Sequence, residues 1–393
     1  MRIGIVKPDW GIRGGFEVVV DQVDRDLQAA GHTVERVEVA VSGVPRAPFG
    51  AAVPDVVWSR SPEWFTHLSM LEQFRALDVR RFDVVLSTQP PSYAVRHPRQ
   101  VALFYHHARA FYDLEDVWIA AGRAPADLHR AAAALLRTAE ADDFGGVTHF
   151  LSGSSRVQER LRRFHGAEVP VSLYESAAPV VEGAAAGGGK HALTVSRHEF
   201  TKRTELALEA YALGTVPAVL VGEGGRLPFV RELAGRLADR TLAAGSATAE
   251  DLWLNLGSPQ RGDDPASLDH VRIAGRVDDA ELAALYRDAL CVVAPAYDED
   301  DGLTVREAMA HGRPVVVCRD GGGLAAFVED GVNGFIVDPD GPSIAAAIAR
   351  LAQDPDLASR MGVAALETVS ALTPARAARQ LLDAVETVAS SSR

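Results

Sequence analysis

Two spacings of hydrophobic residues alternate along the chain. Short apolar runs read as buried strands: "RIGIVK" (2–7), "FDVVLS" (82–87), "VALFYHH" (101–107) and "THFLSGS" (148–154). "TVERVEV" (33–39) alternates apolar and polar positions, the mark of a strand with one wet face. Between these runs, residues 16–30 and 127–143 repeat apolar side chains every three or four positions, which predicts helices. After residue 190 the alternation restarts with "HALTVS", "AVLVGEG", "HVRIAG", "LCVVAPAY", "RPVVVC" and "GFIVDP". Apolar runs joined by helical connections predict parallel strands in doubly wound α/β sheets.

The restart predicts two Rossmann-like domains. "EGAAAGGGK" (182–190) reads as a flexible glycine-rich linker, which sets the expected domains at 1–181 and 191–373. The last helical pattern, about 374–393, lies beyond the final strand run and is expected to pack back on the first domain. Two spans break the alternation: a Pro/Ala/Gly loop at 41–54 and a polar excursion at 245–270, whose purpose the sequence leaves open.

Composition then removes whole classes of function. The 393 residues carry a formal net charge of −13, which argues against a nucleic-acid partner held on a broad basic face. No apolar stretch is long enough to span a membrane, and "MRIGIVKPDWG" lacks the apolar core of a signal peptide. Cys291 and Cys318, the only cysteines, both lie in apolar runs. Neither a disulfide framework nor a cysteine metal site is expected, and a cytoplasmic location is. The oligomeric state is not legible.

Candidate chemistry collects where strand runs of the second half end. "VSRHEFTKR" places Arg197 and Lys202, one of only three lysines, just after a strand. "VGEGG" (221–225) is a glycine turn, and "IAGRVDDAELAALYRDA" joins a strand to an amphipathic helix. "AYDEDDGLTVREAMAHG" (296–312) sets Asp298, Glu299, Asp300 and Asp301 at a strand end, with Glu307 on the following helix and "GGG" at 321–323. Open α/β sheets hold their ligands at this edge. The acidic cluster alone also permits a Mg²⁺ or Ca²⁺ site or a solvated turn.

The order and spacing of these segments over about residues 190–370 resembles the retaining GT-B glycosyltransferases of family 4. Their C-terminal domains show a Gly-Arg…Lys-Gly segment, a Val-Gly-x-Gly turn, a Gly-x-Val segment and a Glu-x7-Glu motif, here Glu299 and Glu307. The resemblance implies a GT-B fold, two Rossmann-like sheets facing across a cleft, with the nucleotide-sugar donor on the C-terminal domain and the acceptor on the N-terminal one. Arg197 and Lys202 would meet the diphosphate, as a forked donor and a point charge. Glu307 would hold the ribose and Glu299 a sugar hydroxyl. Backbone from Asp301, Gly302, Leu303 and Thr304 would face the sugar and phosphates at a helix start. Arg276 and Val277 would complete the substrate-binding set. The chain departs from the family's Glu-Gly-Phe-Gly by reading Glu299-Asp300-Asp301-Gly302, so Asp301 stands where an aromatic residue is common.

In the first half, "IRGGFE" (12–17) puts Gly14 and Gly15 before a helix, where backbone can approach a phosphate. The family carries a glycine pair here, near the diphosphate and acceptor. It also carries a histidine at the end of the strand matching "VALFYHH", so His106 or His107 would lie against the transferred sugar. The arginines of "SRVQERLRRFHG" (155–166) read as a solvated face.

The expected function is transfer of a hexose-type sugar from UDP or GDP to a hydroxyl of a soluble acceptor, with retained configuration. No metal and no other cofactor is expected. The alternatives are an epimerase or phosphorylase of the same fold, and a non-catalytic nucleotide-sugar-binding protein.

Overall fold

A computed structural model describes residues 1–11, 14–166, 170–239, 241–254 and 268–391. The chain divides into two compact units, residues 1–177 with 373–393, and residues 178–372.

The first unit holds a six-stranded sheet of β1 (Arg2–Asp9), β2 (Thr33–Ala40), β3 (Val84–Ser87), β4 (Gln100–Phe104), β5 (His149–Ser152) and β6 (Val171–Leu173), ordered β2-β1-β3-β4-β5-β6. Every pairing is parallel. The five apolar runs of this half are its first five strands. The sixth, three half-buried residues long, is too short to carry a pattern. β3, β4 and β5 are buried throughout because helices cover both faces, whereas the edge strand β2 keeps its alternation. The helix Pro374–Ser390 belongs to this unit. It buries Ala377, Leu381, Ala384, Val385 and Val388 against Ile3, Ile5, Leu86 and Leu103. Each leucine or valine so covered contributes about 1.5–3 kcal/mol. Thr373 caps the helix by accepting the Arg376 amide.

The second unit repeats the plan with β7 (His191–Val195), β8 (Ala218–Val221), β9 (Val271–Gly275), β10 (Ala289–Ala294), β11 (Val315–Cys318) and β12 (Gly334–Val337), ordered β12-β11-β10-β7-β8-β9, all parallel. All six apolar runs of this half are strands. Cys291 and Cys318 are buried free thiols, and burial pushes both up to about 12. The excursion begins with a short helix, Ala249–Leu254, while residues 255–267 lie outside the described residues.

The glycine-rich span 182–190 corrects an expectation. It is not a free linker but is fastened to the second unit. The Arg313 guanidinium donates to the carbonyls of Ala185, Gly187 and Ala289, and the Lys190 amide donates to Asp288 O. Gly189 lies so close to Ala289 that a Cβ would stand 2.0 Å from its carbonyl oxygen. Close approach, rather than flexibility, is what that glycine supplies.

Candidate functional site

The sheet of the second unit reverses its direction of growth between β7 and β10. From β7 the chain runs through helix Thr204–Leu213 to β8 on one side, and from β10 through helix Leu303–Ala310 to β11 on the other. The loops leaving β7 and β10 therefore open a crevice at the carboxyl edge, the switch point where such sheets bind ligands. Arg197, Lys202, Glu299 and the start of helix Leu303–Ala310 all belong to these two loops.

Glycines hold the loop after β7 in place. Gly222 has φ +132° and Gly224 φ +149°, and a Cβ on them would stand 1.8 Å from Ser196 O and 2.5 Å from His198 O. Backbone hydrogen bonds from His198 N to Glu223 O (2.7 Å) and from Arg226 N to His198 O (2.8 Å) close the contact. Arg197 is exposed on this loop, with no side-chain partner among the described residues.

Lys202 Nζ donates to Glu299 Oε2 at 2.6 Å, joining side chains 97 positions apart. The next residue, Arg203, supports both strand ends. It is buried, adopts the left-handed conformation (φ +46°) and donates to Pro295 O at 2.8 Å, Ala296 O at 3.3 Å and both oxygens of Asp320. Its guanidinium lies 5.4 Å from the Trp253 ring centre and 5.5 Å from that of Tyr297. Trp253, from the excursion, donates its indole N–H to Phe200 O at 2.6 Å. Arg226, paired with Glu205, also grips the carbonyls of Leu252 and Trp253.

After β10 the backbone pairs with the "GGG" loop: Asp298 N donates to Asp320 O, Glu299 N to Gly321 O, and Gly323 N to Glu299 O. A Cβ on Gly322 would stand 2.7 Å from Asp298 Oδ1, and one on Gly323 2.6 Å from Asp300 O. The pairing fixes Glu299 opposite Lys202.

Of the helix-start amides expected to face the ligand, that of Gly302 is engaged within the protein. The Asp301 carboxylate turns inward, ion-pairs with buried Arg306 and accepts the Gly302 amide at 2.9 Å. That amide is spent within the protein, and the carboxylate does not face the crevice. Burial raises the Asp301 pKa against the opposing pull of Arg306. Leu303 and Thr304 remain at the helix start, half-buried, and the Thr304 hydroxyl donates to Val195 O at 3.4 Å. One turn on, Glu307 Oε2 accepts the Tyr286 hydroxyl at 2.8 Å, and the Tyr286 ring stacks on His311. Burial raises the Glu307 pKa above its ordinary value. Arg276 is exposed and Val277 half-buried in the turn after β9, whose Gly275 carbonyl accepts the Gly222 amide.

In the first unit, Gly14 precedes the helix Gly15–Ala29, and its amide donates to Glu17 Oε2 at 2.9 Å, so a carboxylate already occupies that donor. Ile12 and Arg13 of the same segment lie outside the described residues. The histidine pair divides. His107 is fully buried, stacks on Tyr112, and lies 2.7 Å from Asp113 Oδ1 and 3.1 Å from His165 Nε2. Burial lowers its pKa, and His165 is pushed down to about 3. Arg109 and Arg160 also reach Asp113, whose carboxyl is held well below the usual range. Both His107 nitrogens are committed, so it is a core residue with no ring nitrogen left for a sugar. His106 is half-buried, with Nδ1 2.9 Å from His107 O.

The residues that sequence reasoning missed are Arg203, Asp320, Trp253 and Tyr286. Arg203 carried one signal: it stands where the family's Lys-Gly has glycine, and the backbone there is left-handed.

Residues 266–368 match the family model described as "Glycosyl transferases group 1". The chain is 40% identical over 107 residues to a D-inositol 3-phosphate glycosyltransferase of Corynebacterium kroppenstedtii and 44% over 98 residues to that of Streptomyces griseus. These stretches cover 27% and 25% of this chain and 24% and 21% of the relatives, so the match spans about a quarter of each protein. Among solved structures, the sucrose-phosphate synthase of Thermosynechococcus elongatus superposes with a TM-score of 0.69 at 19% identity, covering 98% of both chains. HepE of Anabaena, solved with UDP and glucose, gives 0.64 at 16% identity, covering 98% of this chain and 100% of that one. With its two six-stranded parallel sheets and these full-length superpositions, the chain has the two-domain GT-B α/β fold.

Proposed function

We propose that the protein is a retaining glycosyltransferase that moves a hexose-type sugar from a nucleoside diphosphate to an acceptor hydroxyl. The observation that carries this reading is the 2.6 Å contact of Lys202 with Glu299 at the switch point, beside the start of helix Leu303–Ala310. An ammonium, a carboxylate and a helix N-terminus together suit a ligand that is anionic at one end and hydroxylated at the other. The group 1 match over residues 266–368 and the relatives' printed activity support the same class. UDP is the first nucleotide to test, since HepE was solved with it. The acceptor is proposed to be soluble and the location cytoplasmic.

In this reading Arg197 and Lys202 meet the diphosphate, Glu299 takes a sugar hydroxyl and Glu307 the ribose. As the sugar–oxygen bond lengthens, charge grows on the departing phosphate, so cations fixed beside it favour the transition state over the ground state. The departing phosphate oxygen takes the acceptor's proton, and the acceptor oxygen attacks from the same face. No metal is assigned, because Glu299 already faces Lys202 and Asp301 faces Arg306. The deciding experiment measures nucleotide release from a panel of UDP- and GDP-sugars, with and without acceptor alcohols. Absence of release from every donor, with tight donor binding, would favour a non-catalytic binder.

A further inference from the structure

We propose that the first unit carries a binding site for an amphiphilic anion, a small apolar molecule ending in one phosphate or carboxylate. The site is a groove of about 420 Å³ between the segment leading into helix Pro62–Ala76 and the helix Ala126–Gly146. That volume lies within the usual range of small-molecule sites, about 300–1,000 Å³. Val56, Val57 and Phe65 line it from one side, and Leu128 and Leu135 from the other. Trp64 ties the sides together, donating its indole N–H to Ala132 O at 3.0 Å.

Three features mark this as a ligand site rather than scattered surface. Val56 (67% exposed), Val57 (42%), Leu128 (47%) and Leu135 (62%) are four of the twelve large hydrophobic side chains left exposed among the described residues, and all four meet here. Apolar exposure concentrated in one place marks an interaction site. The groove also sits at the sheet edge that carries ligands. The two helices connect parallel strands, β2 to β3 and β4 to β5, so their first turns lie toward the sheet's carboxyl edge; Trp64, Phe65 and Leu128 of those turns line the groove, which continues along the second helix to Leu135.

The third feature is charge. The only charged group lining the groove is Arg60, exposed and without a partner among the described residues, with Ser61 beside it. Nearby Arg46 is already paired with Asp55 at 2.9 Å and lies over Trp58. An unneutralised guanidinium lining an apolar groove selects an anionic head on an apolar body. Binding here does not depend on the transfer reading, and its test reads binding alone.

The test is calorimetry, with tryptophan emission in parallel, on the full chain with decyl phosphate below its micelle concentration. Decyltrimethylammonium and inorganic phosphate are the comparison probes. A saturable one-to-one isotherm is expected for decyl phosphate, with decyltrimethylammonium at least about tenfold weaker and inorganic phosphate silent. Leu135→Glu, and separately Val56→Glu, should melt as the parent does and lose decyl phosphate affinity about tenfold or more. Arg60→Gln should narrow the preference for anion over cation. Equal affinity for both head groups, or undiminished binding in both glutamate variants, would overturn the proposal. So would binding confined to anionic vesicles, which indicates a membrane surface. A dimer that both glutamate variants abolish and decyl phosphate leaves intact would overturn it in favour of a second copy.

Discussion

The Arg203 guanidinium grips the carboxylate of Asp320, 117 residues further along the chain, with hydrogen bonds of 2.9 and 2.6 Å. Arg203 does so from a left-handed backbone, at φ +46°, where a side chain is unfavourable by about 1–2 kcal/mol relative to glycine. Two opposed terms meet at one position, and substitution separates them. Arg203→Ala loses the clamp and keeps the strain, whereas Arg203→Gly loses the clamp and relieves the strain. In urea unfolding both should be less stable than the parent, with the glycine variant about 1 kcal/mol above the alanine one. Equal midpoints would show that the backbone conformation costs nothing here.

Lys202→Ala should lower kcat more than it raises KM for the donor, by about a hundredfold in kcat. Since Lys202 and Glu299 are in contact, their losses should not add. A double-mutant cycle with Glu299→Gln should return a coupling of about 0.5–3 kcal/mol. Steady-state rates with varied donor check both, and a change confined to KM would remove Lys202 from the chemistry.

Glu307→Ala should weaken nucleoside diphosphate and nucleotide-sugar alike, by about 1.5–3 kcal/mol, through loss of a charged acceptor for the ribose. Tyr286→Phe removes only the hydroxyl that orients Glu307 and should cost less. Calorimetry with the diphosphate alone reads both effects, and unchanged affinity in Glu307→Ala would place the ribose elsewhere.

Glu209 makes a pH prediction away from the site. It is buried on helix Thr204–Leu213, accepts the Gly245 amide at 3.1 Å, and burial raises its pKa from 4.5 to about 7. Between those values the folded state binds a proton that the unfolded chain has released. Stability from this group is therefore fully present below pH 4.5 and is lost as pH rises from there through about 7, by roughly 3 kcal/mol. Glu209→Gln keeps an acceptor for Gly245 and cannot ionise. Relative to the parent, it should gain in Tm between pH 5 and pH 8, and parallel Tm profiles would refute the assignment.

Transfer should survive chelation. Glu299 and Asp301 each face a cation of the protein itself, Lys202 and Arg306. Loss of nucleotide release in EDTA, restored by Mg²⁺ or Mn²⁺, would recast the acidic turn as a ligand set.

The strands were legible because buried parallel strands are apolar runs, which ten of the twelve carry, while β2 showed by its alternation and β6 was too short to show at all. What escaped depends on partners distant in sequence. Arg203 beside Lys202 looks like solvated charge until Asp320, Trp253 and Tyr297 surround it. His107 looks like half of a surface pair until Asp113 and His165 take its nitrogens. The 182–190 span looks flexible until Arg313 fastens the carbonyls of Ala185 and Gly187. Glu299 and Glu307 are proposed from a motif, and its spacing does not reveal that Asp301 turns inward, because that turn is set by Arg306.

The helix Pro374–Ser390 has a consequence for how the protein is made. It supplies five buried side chains to the first unit's core, yet the ribosome delivers it only after all of residues 178–372. At about 5–20 residues per second, that interval leaves Ile3, Leu86 and Leu103 without their final cover for about 10–40 s. The second unit, contiguous in sequence, has its whole chain available first. The nascent first half thus waits with an open apolar face, the state a holding chaperone recognises. A ribosome stalled before residue 374 would display it.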